Sequence, residues 1–139
     1  MDIREATAED AGLISGLLEE LGYPATPAEV RKRLAELGGD DRVLICERGF
    51  VSLHRIPLLA EGGCLARITA LVVFERHRGG GVGRALVGAA EAVARAWGCY
   101  LLEVSSGRRT ERAAAHRFYP ALGFEDSSAH SVRYWKRLS

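Results

Sequence analysis

The sequence predicts an α/β domain in which one mixed sheet is flanked by helices. Three observations carry this. Apolar patterns run in the order strand, two helices, three strands, helix, strand, helix and final strands. The stretch Leu65 to Phe74 is long, apolar and rich in β-branched residues, and a glycine-rich turn and an amphipathic helix follow it. The unit from Leu65 to Val104 therefore reads as a right-handed parallel crossover. The dipeptide Arg48-Gly49 separates two apolar runs, which marks an antiparallel hairpin. A length of 139 residues fits one domain, residues 1–139, with a single core.

Element by element, Ile3 to Ala6 forms a short first strand. Thr7 is a helix N-cap with Asp10 three residues on, and Ala11, Ile14, Leu17, Leu18 and Leu21 recur at helical spacing. Gly22 and Pro24 end that helix. Thr26-Pro27-Ala28-Glu29 combines a capping Thr, a Pro suited to the first helical position and a Glu that closes a capping box. Val30, Leu34 and Leu37 carry the second helix to Gly38-Gly39. Val43 to Glu47 and Phe50 to Ile56 are the hairpin strands. A helix from about Gly81 to Trp97, a strand from Tyr100 to Val104 and a helix from about Arg112 to Leu122 follow. Phe124 and the segment Val132 to Leu138 supply the last strands.

Composition excludes several classes. The formal net charge is +1, from 19 basic and 18 acidic side chains, so the basic excess of a nucleic-acid binder is absent. No apolar run reaches the length of a membrane span, and Met1-Asp2-Ile3-Arg4-Glu5 lacks the apolar core of a signal peptide. The expected location is cytoplasmic, with no membrane partner. Cys46, Cys64 and Cys99 match neither a disulfide framework nor a zinc spacing. They read as reduced thiols, two of them in strands, and no metal site is expected.

The most informative segment is Arg78-Gly79-Gly80-Gly81-Val82-Gly83-Arg84. Four glycines at a helix start lower helix propensity, a cost that makes sense where a ligand must approach the bare backbone. The unpaired N–H groups and the dipole of a helix N-terminus then favour a phosphate or diphosphate. A P-loop is ruled out, because Gly83 is followed by Arg84-Ala85 and not by Lys-Ser or Lys-Thr. A dinucleotide fingerprint fails too, since its third glycine would fall on Arg84 or Leu86. A flexible turn without a ligand is the plain alternative.

Arg78-x-x-Gly81-x-Gly83 resembles the coenzyme A signature of the GNAT superfamily of N-acetyltransferases. Ile68-Thr69-Ala70-Leu71-Val72-Val73 is similar to that family's fourth strand. Ala115-His116-Arg117-Phe118-Tyr119-Pro120-Ala121-Leu122-Gly123-Phe124 is similar to its second block, Phe-Tyr followed by Gly-Phe. The resemblance covers the whole chain, and the pattern is most like that of small bacterial aminoglycoside-type members. It implies a mixed, mostly antiparallel sheet of six to seven strands with about four helices. It also implies acetyl-CoA as cosubstrate, a small-molecule primary amine as acceptor, and direct attack in a ternary complex. A homodimer through the last strands fits the family as well. A non-catalytic coenzyme A-binding or regulatory module is the alternative.

Carried over by residue, the resemblance places the pyrophosphate on Arg78, Gly79, Gly80, Gly81, Val82, Gly83 and Arg84. The pantetheine arm follows the fourth strand past a bulge at Leu71, Val72 and Val73. The Val73 amide points at the thioester oxygen, and one such donor is worth about 2.7–4 kcal/mol in related acyl transfer. Tyr119 takes the place of the general acid. A phenol of pKa about 10 can protonate a thiolate whose conjugate acid lies near 8.5. Arg112 replaces a frequent Asn and either contacts the coenzyme or is solvated. Arg108, Arg109, Arg112 and Arg117 form a basic cluster that suits either a phosphate or solvent. Thr69 stands where many members carry a basic Glu, which leaves the base open. Glu103, His54 and His116 are candidates, each with a structural alternative, beside a water chain or no dedicated base.

Overall fold

A computed structural model of the chain describes residues 2–105 and 113–138, and the side chains of 113–116 lie outside what it describes. The chain divides into two compact units, Met1–Ser105 and Ser106–Ser139, taken here one at a time. The first contains β1 (Arg4–Glu5), α1 (Ala11–Leu21), α2 (Pro27–Glu36), β2 (Asp41–Cys46), β3 (Gly49–Pro57), β4 (Cys64–Val73), α3 (Val82–Ala96) and β5 (Leu101–Val104). Short 3-10 turns at Ala8–Asp10 and Glu75–His77 precede α1 and follow β4. The second unit holds α4 (Ala113–Ala121).

The strands form one mixed sheet in the order β1-β2-β3-β4-β5. The first three pairings are antiparallel and β4–β5 is parallel, as the strand–helix–strand unit requires. Alternation along the strands sorts side chains to two faces. Ile45, Phe50 and Val72 bury against Ala11, Ile14 and Leu17 of α1 and Val30 of α2. Leu44, Val51, Leu53 and Ile68 bury on the other face against Val82, Leu86 and Ala90 of α3. The single core expected from length is thus two clusters, one on each face. Each fully buried Leu, Ile, Val or Phe contributes about 1.5–3 kcal/mol. Thr26 caps α2 as read from sequence: its Oγ1 accepts the Glu29 N–H at 3.1 Å.

Two expectations change. The hairpin turn is Glu47-Arg48, because Gly49 already pairs with Cys46 as the first residue of β3. The reason for a glycine there is tertiary. A Cβ on Gly49 would lie 2.5 Å from the Val72 carbonyl oxygen, so β3 and β4 approach more closely than any side chain allows. The second change concerns strand number. The described residues form five strands and not six or seven, and Phe124 and Val132 to Leu138 lie outside regular structure. Val132, Tyr134, Trp135 and Leu138 are exposed. Aromatic and β-branched residues make a segment fit for a strand, but only a neighbouring backbone completes its ladder.

Cys46 and Cys64 lie in β2 and β4 as free thiols. Sequence spacing hid one relation: the sulfurs of Cys64 and Cys99 are 2.8 Å apart. Burial and the Cys64 hydrogen bond push the Cys99 thiol up to about 11, so it stays protonated at neutral pH. Among the described residues no helix is long and apolar enough to cross a membrane.

Asp10 is the buried charged residue of the first unit. Its carboxylate receives two guanidinium bonds from Arg4, at 2.7 and 2.8 Å, and the Thr7 N–H at 2.7 Å. This joins β1 to the start of α1. The Arg4 bond chiefly holds the Asp10 carboxyl down to about 2, against the opposing cost of burial. A carboxyl lowered on folding stabilises the protein above its unfolded pKa, near 4, and loses that contribution as pH falls toward 2. Arg4 is exposed, and solvent screening holds the contribution at about 1–2 kcal/mol. Asp10→Asn is expected to cost about 1–3 kcal/mol in urea unfolding near pH 7 and to show a much smaller loss on going to about pH 3 than the parent protein.

Candidate functional site

The site begins at a register change. Ser52 opposes Ala70 but Leu53 opposes Ile68, which leaves Thr69 as the extra residue of a β-bulge. The Ser52 and Thr69 hydroxyl oxygens lie 2.6 Å apart across it. β5 pairs with β4 only from Leu65 to Ile68. From Thr69 to Val73, β4 therefore has a ladder partner on the β3 side alone among the described residues. The Phe74 N–H donates to the Arg48 carbonyl at 3.0 Å. Antiparallel pairing alternates, so Val72 likewise faces β3, while Leu71 and Val73 turn N–H and C=O to the open edge. Of the three β4 residues predicted to meet the arm, Leu71 and Val73 are so presented. Val72 points its main chain inward and is buried.

The open edge runs into the glycine-rich turn. α1 steadies this junction: Phe74 packs at 3.8 Å from the space beside Gly16, and a Glu20 carboxylate oxygen accepts the Glu75 N–H at 2.9 Å. Gly79 and Gly81 have φ of 81° and 87°, a conformation that other residues adopt only with strain. Gly81 is the N-cap of α3. The first intrahelical bond runs from the Ala85 N–H to the Gly81 carbonyl at 3.0 Å. The amides of Val82, Gly83 and Arg84 lie ahead of it, at the positive end of the helix dipole. Val82 and Leu86 bury their side chains, which anchors the helix start in the core. Gly79, Gly80, Gly81, Arg78 and Arg84 are exposed, and Arg78 Nε donates to the Val73 carbonyl at 3.3 Å. A row of amides and a strand edge thus meet at one place, suited to a diphosphate with an amide-bearing arm.

Beside the bulge, on the face of α1 and α2, the sheet is polar. Register aligns Asp41, His54, Arg67 and Glu103 across β2, β3, β4 and β5. Asp41 Oδ1 lies 2.8 Å from His54 Nδ1, and Asp41 Oδ2 accepts the Gly38 N–H at 3.1 Å. Glu103, a predicted candidate base, has its carboxylate engaged by the Arg67 guanidinium. Asp41, Arg67 and Ser52 were not singled out from sequence, because only strand register brings them into line. A separate cleft of about 340 Å³ lies between α2 and the β1–β2 edge, bounded by Glu5, Arg31, Leu34 and Arg42. It sits at the Asp41 end of the strands and away from the glycine-rich turn.

In the second unit Tyr119 lies on α4, half-buried between aromatic neighbours. Its ring centroid is 5.2 Å from that of Phe118 and 5.5 Å from that of Phe124, both edge-to-face. Gly123, with φ of 91°, ends the helix so that the Phe124 N–H donates to the Tyr119 carbonyl at 3.1 Å. Arg117 is exposed. Arg108, Arg109, Arg112 and the side chain of His116 lie outside the described residues.

The family model for the acetyltransferase (GNAT) family matches residues 24–124. The aminoalkylphosphonate N-acetyltransferase of Salmonella typhimurium is 31% identical over 140 residues, covering 91% of this chain and 86% of that protein. A GNAT family acetyltransferase of Staphylococcus aureus superposes with a TM-score of 0.80 at 21% identity, covering 99% of this chain and 98% of that one. A transcriptional regulator of Bacillus halodurans C-125 gives 0.84 at 24% identity, covering 98% and 99%. At these identities the two structural likenesses are of fold alone.

An added Cβ on Gly81 meets no atom within 4 Å, so its cost is backbone strain. Gly81→Ala is expected to lose about 1–2 kcal/mol in thermal or urea unfolding and to weaken coenzyme A binding about tenfold by calorimetry.

Proposed function

The chain belongs to the GNAT acetyltransferase family and is an acetyl-CoA-dependent N-acetyltransferase; from this premise we propose that it moves the acetyl group to the primary amine of a small molecule by direct attack in a ternary complex. The observation that carries this is the unpaired edge of β4 past the Thr69 bulge, leading into the bare amides before α3. The pantetheine arm of coenzyme A carries amides able to complete such an edge, and its diphosphate matches the helix start. We read the whole chain as one domain, since the family match crosses from the first unit into the second. The activity of the family sets aside the binding-only module as the main reading.

In this reading the diphosphate rests on Gly79 to Arg84, with Arg78 and Arg84 at its rim, and the arm pairs with Val73 and Leu71. The arm extends from the turn toward the bulge, and Val73 lies at the turn end with its carbonyl already accepting from Arg78. The reactive end therefore meets Leu71, which makes the Leu71 N–H, not that of Val73, the better oxyanion donor. The acceptor comes in beside the bulge, where Thr69 is exposed and Ser52 half-buried on the α1–α2 side of the sheet. The amine nitrogen attacks the thioester carbon, the C–S bond breaks, and Tyr119 protonates the departing sulfur. The motif Phe118-Tyr119 followed by Gly123-Phe124 supports that role. An acceptor that is itself both ammonium and anion can exchange partners with the Asp41–His54 and Arg67–Glu103 pairs of this row. The aminoalkylphosphonates named for the Salmonella relative are of that kind.

Protein mixed with acetyl-CoA and a panel of small amines, aminoalkylphosphonates among them, is expected to release free coenzyme A thiol. No release above background from protein shown to bind the cofactor would refute the reading. Tyr119→Phe is expected to lower kcat about 10²-fold with coenzyme A affinity unchanged, and equal kcat would remove Tyr119 from the mechanism.

A further inference from the structure

We propose that His54, oriented by Asp41, is the general base that takes the acceptor's proton through one bridging water, an inference that rests on the acetyl-transfer reading above. Thr69, in the bulge, cannot act as a base, and Glu103 is held by Arg67. The Asp41–His54 pair is built from both ends. The Gly38 amide holds one carboxylate oxygen of Asp41 and the imidazole Nδ1 meets the other at 2.8 Å. A carboxylate only accepts, so the neutral imidazole carries its proton on Nδ1 and keeps the lone pair on Nε2. Asp41 thereby sets the tautomer that a base requires and stabilises the imidazolium once it forms.

Placement agrees. His54 and Ser52 are two apart on β3 and share a face, so His54 lies roughly 7 Å along the strand from the Ser52–Thr69 contact. Direct transfer needs donor and acceptor atoms about 2.6–3.2 Å apart, less than this offset of strand positions, so the proton passes through water. The His54 side chain is 45% exposed, which leaves room for that water. The charged groups around it are Asp41 on β2 and Arg67 on β4, with Glu103 on β5 neutralising Arg67. Arg31 of α2 faces the cleft that Asp41 also borders, and Arg42 is paired with Glu5. The proton passes from the acceptor ammonium to water and from water to Nε2. The freed amine attacks the thioester carbon, the C–S bond breaks, and Tyr119 protonates the departing sulfur; the second proton, shed by the new amide nitrogen, restores the Tyr119 phenol through solvent, and the imidazolium returns its proton to solvent.

The test is the pH profile of kcat/KM for the parent protein, His54→Gln and Asp41→Asn, with coenzyme A affinity and thermal unfolding measured in parallel. His54→Gln is expected to slow turnover of an alkylamine about 10²-fold near neutral pH, to move the acid limb of the profile up toward the ammonium's own titration, and to bind coenzyme A normally. The loss should shrink to a few-fold with an aromatic amine that is already neutral at the assay pH, which a merely structural role would not produce. Asp41→Asn should show the same pattern more weakly, and long-range proton–nitrogen spectra of the parent should find His54 as the Nδ1–H tautomer. Should His54→Gln fold poorly, His54→Asn serves in its place. An unchanged profile and rate in a folded His54 variant, or the Nε2–H tautomer in the parent, overturns the inference while acetyl transfer stands. A parent protein that binds coenzyme A yet releases no thiol with any amine overturns both.

Discussion

One strand edge governs the first unit: the stretch of β4 from Thr69 to Val73, paired with β3 on one side and, among the described residues, open on the other. Backbone N–H and C=O groups need partners, and a buried or half-buried edge left open is costly unless something completes it. The described pairing of β4 with β5 stops at Ile68, the residue before the bulge at Thr69. Before the bulge β4 is an interior strand, and after it β4 is an edge among the described residues. The β4–α3 connection then delivers a second set of unpaired amides at the end of the same edge. Neither feature alone would specify a ligand, but their continuity favours a long molecule with a diphosphate at one end and peptide-like amides along its arm.

The rest of the unit keeps that edge in place. Gly49 lets β3 approach the Val72 carbonyl, so the paired side of β4 is held at a distance that no side chain would permit. α1 reaches the far end through Gly16 and Glu20, packing on Phe74 and holding the Glu75 amide. α3 fills the opposite face with Val82, Leu86 and Ala90, so its start cannot shift without opening the core. The α3 face is covered by core, and the α1–α2 face combines its own core with the polar row beside the bulge.

Local patterns made most elements legible. The capping box at Thr26–Glu29, the apolar stripe of α1 and the β-branched run of β4 each state a local preference that burial then reinforces. The boundaries shifted by a residue or two, as with Gly49, whose role is contact and not turn geometry. The last strands were not legible as such, because Val132 to Leu138 has strand-forming residues but no described backbone pairs with it. In the candidate site the glycine-rich turn was legible because positive φ at Gly79 and Gly81 demands glycine. The polar row was not, since Asp41, His54, Arg67 and Glu103 are far apart in sequence and each looks like an ordinary polar strand position.

The sequence by itself determined the α/β class, the parallel β4–α3–β5 unit, the anion-suited turn and the family, because all of these depend on short-range periodicity, glycine placement and motif order. Tertiary structure decided which main-chain groups of β4 face outward, that Glu103 is tied to Arg67, and that Asp41 holds His54. These are consequences of register, and register is set by pairing between distant strands, where a shift of one residue exchanges the two faces of a strand.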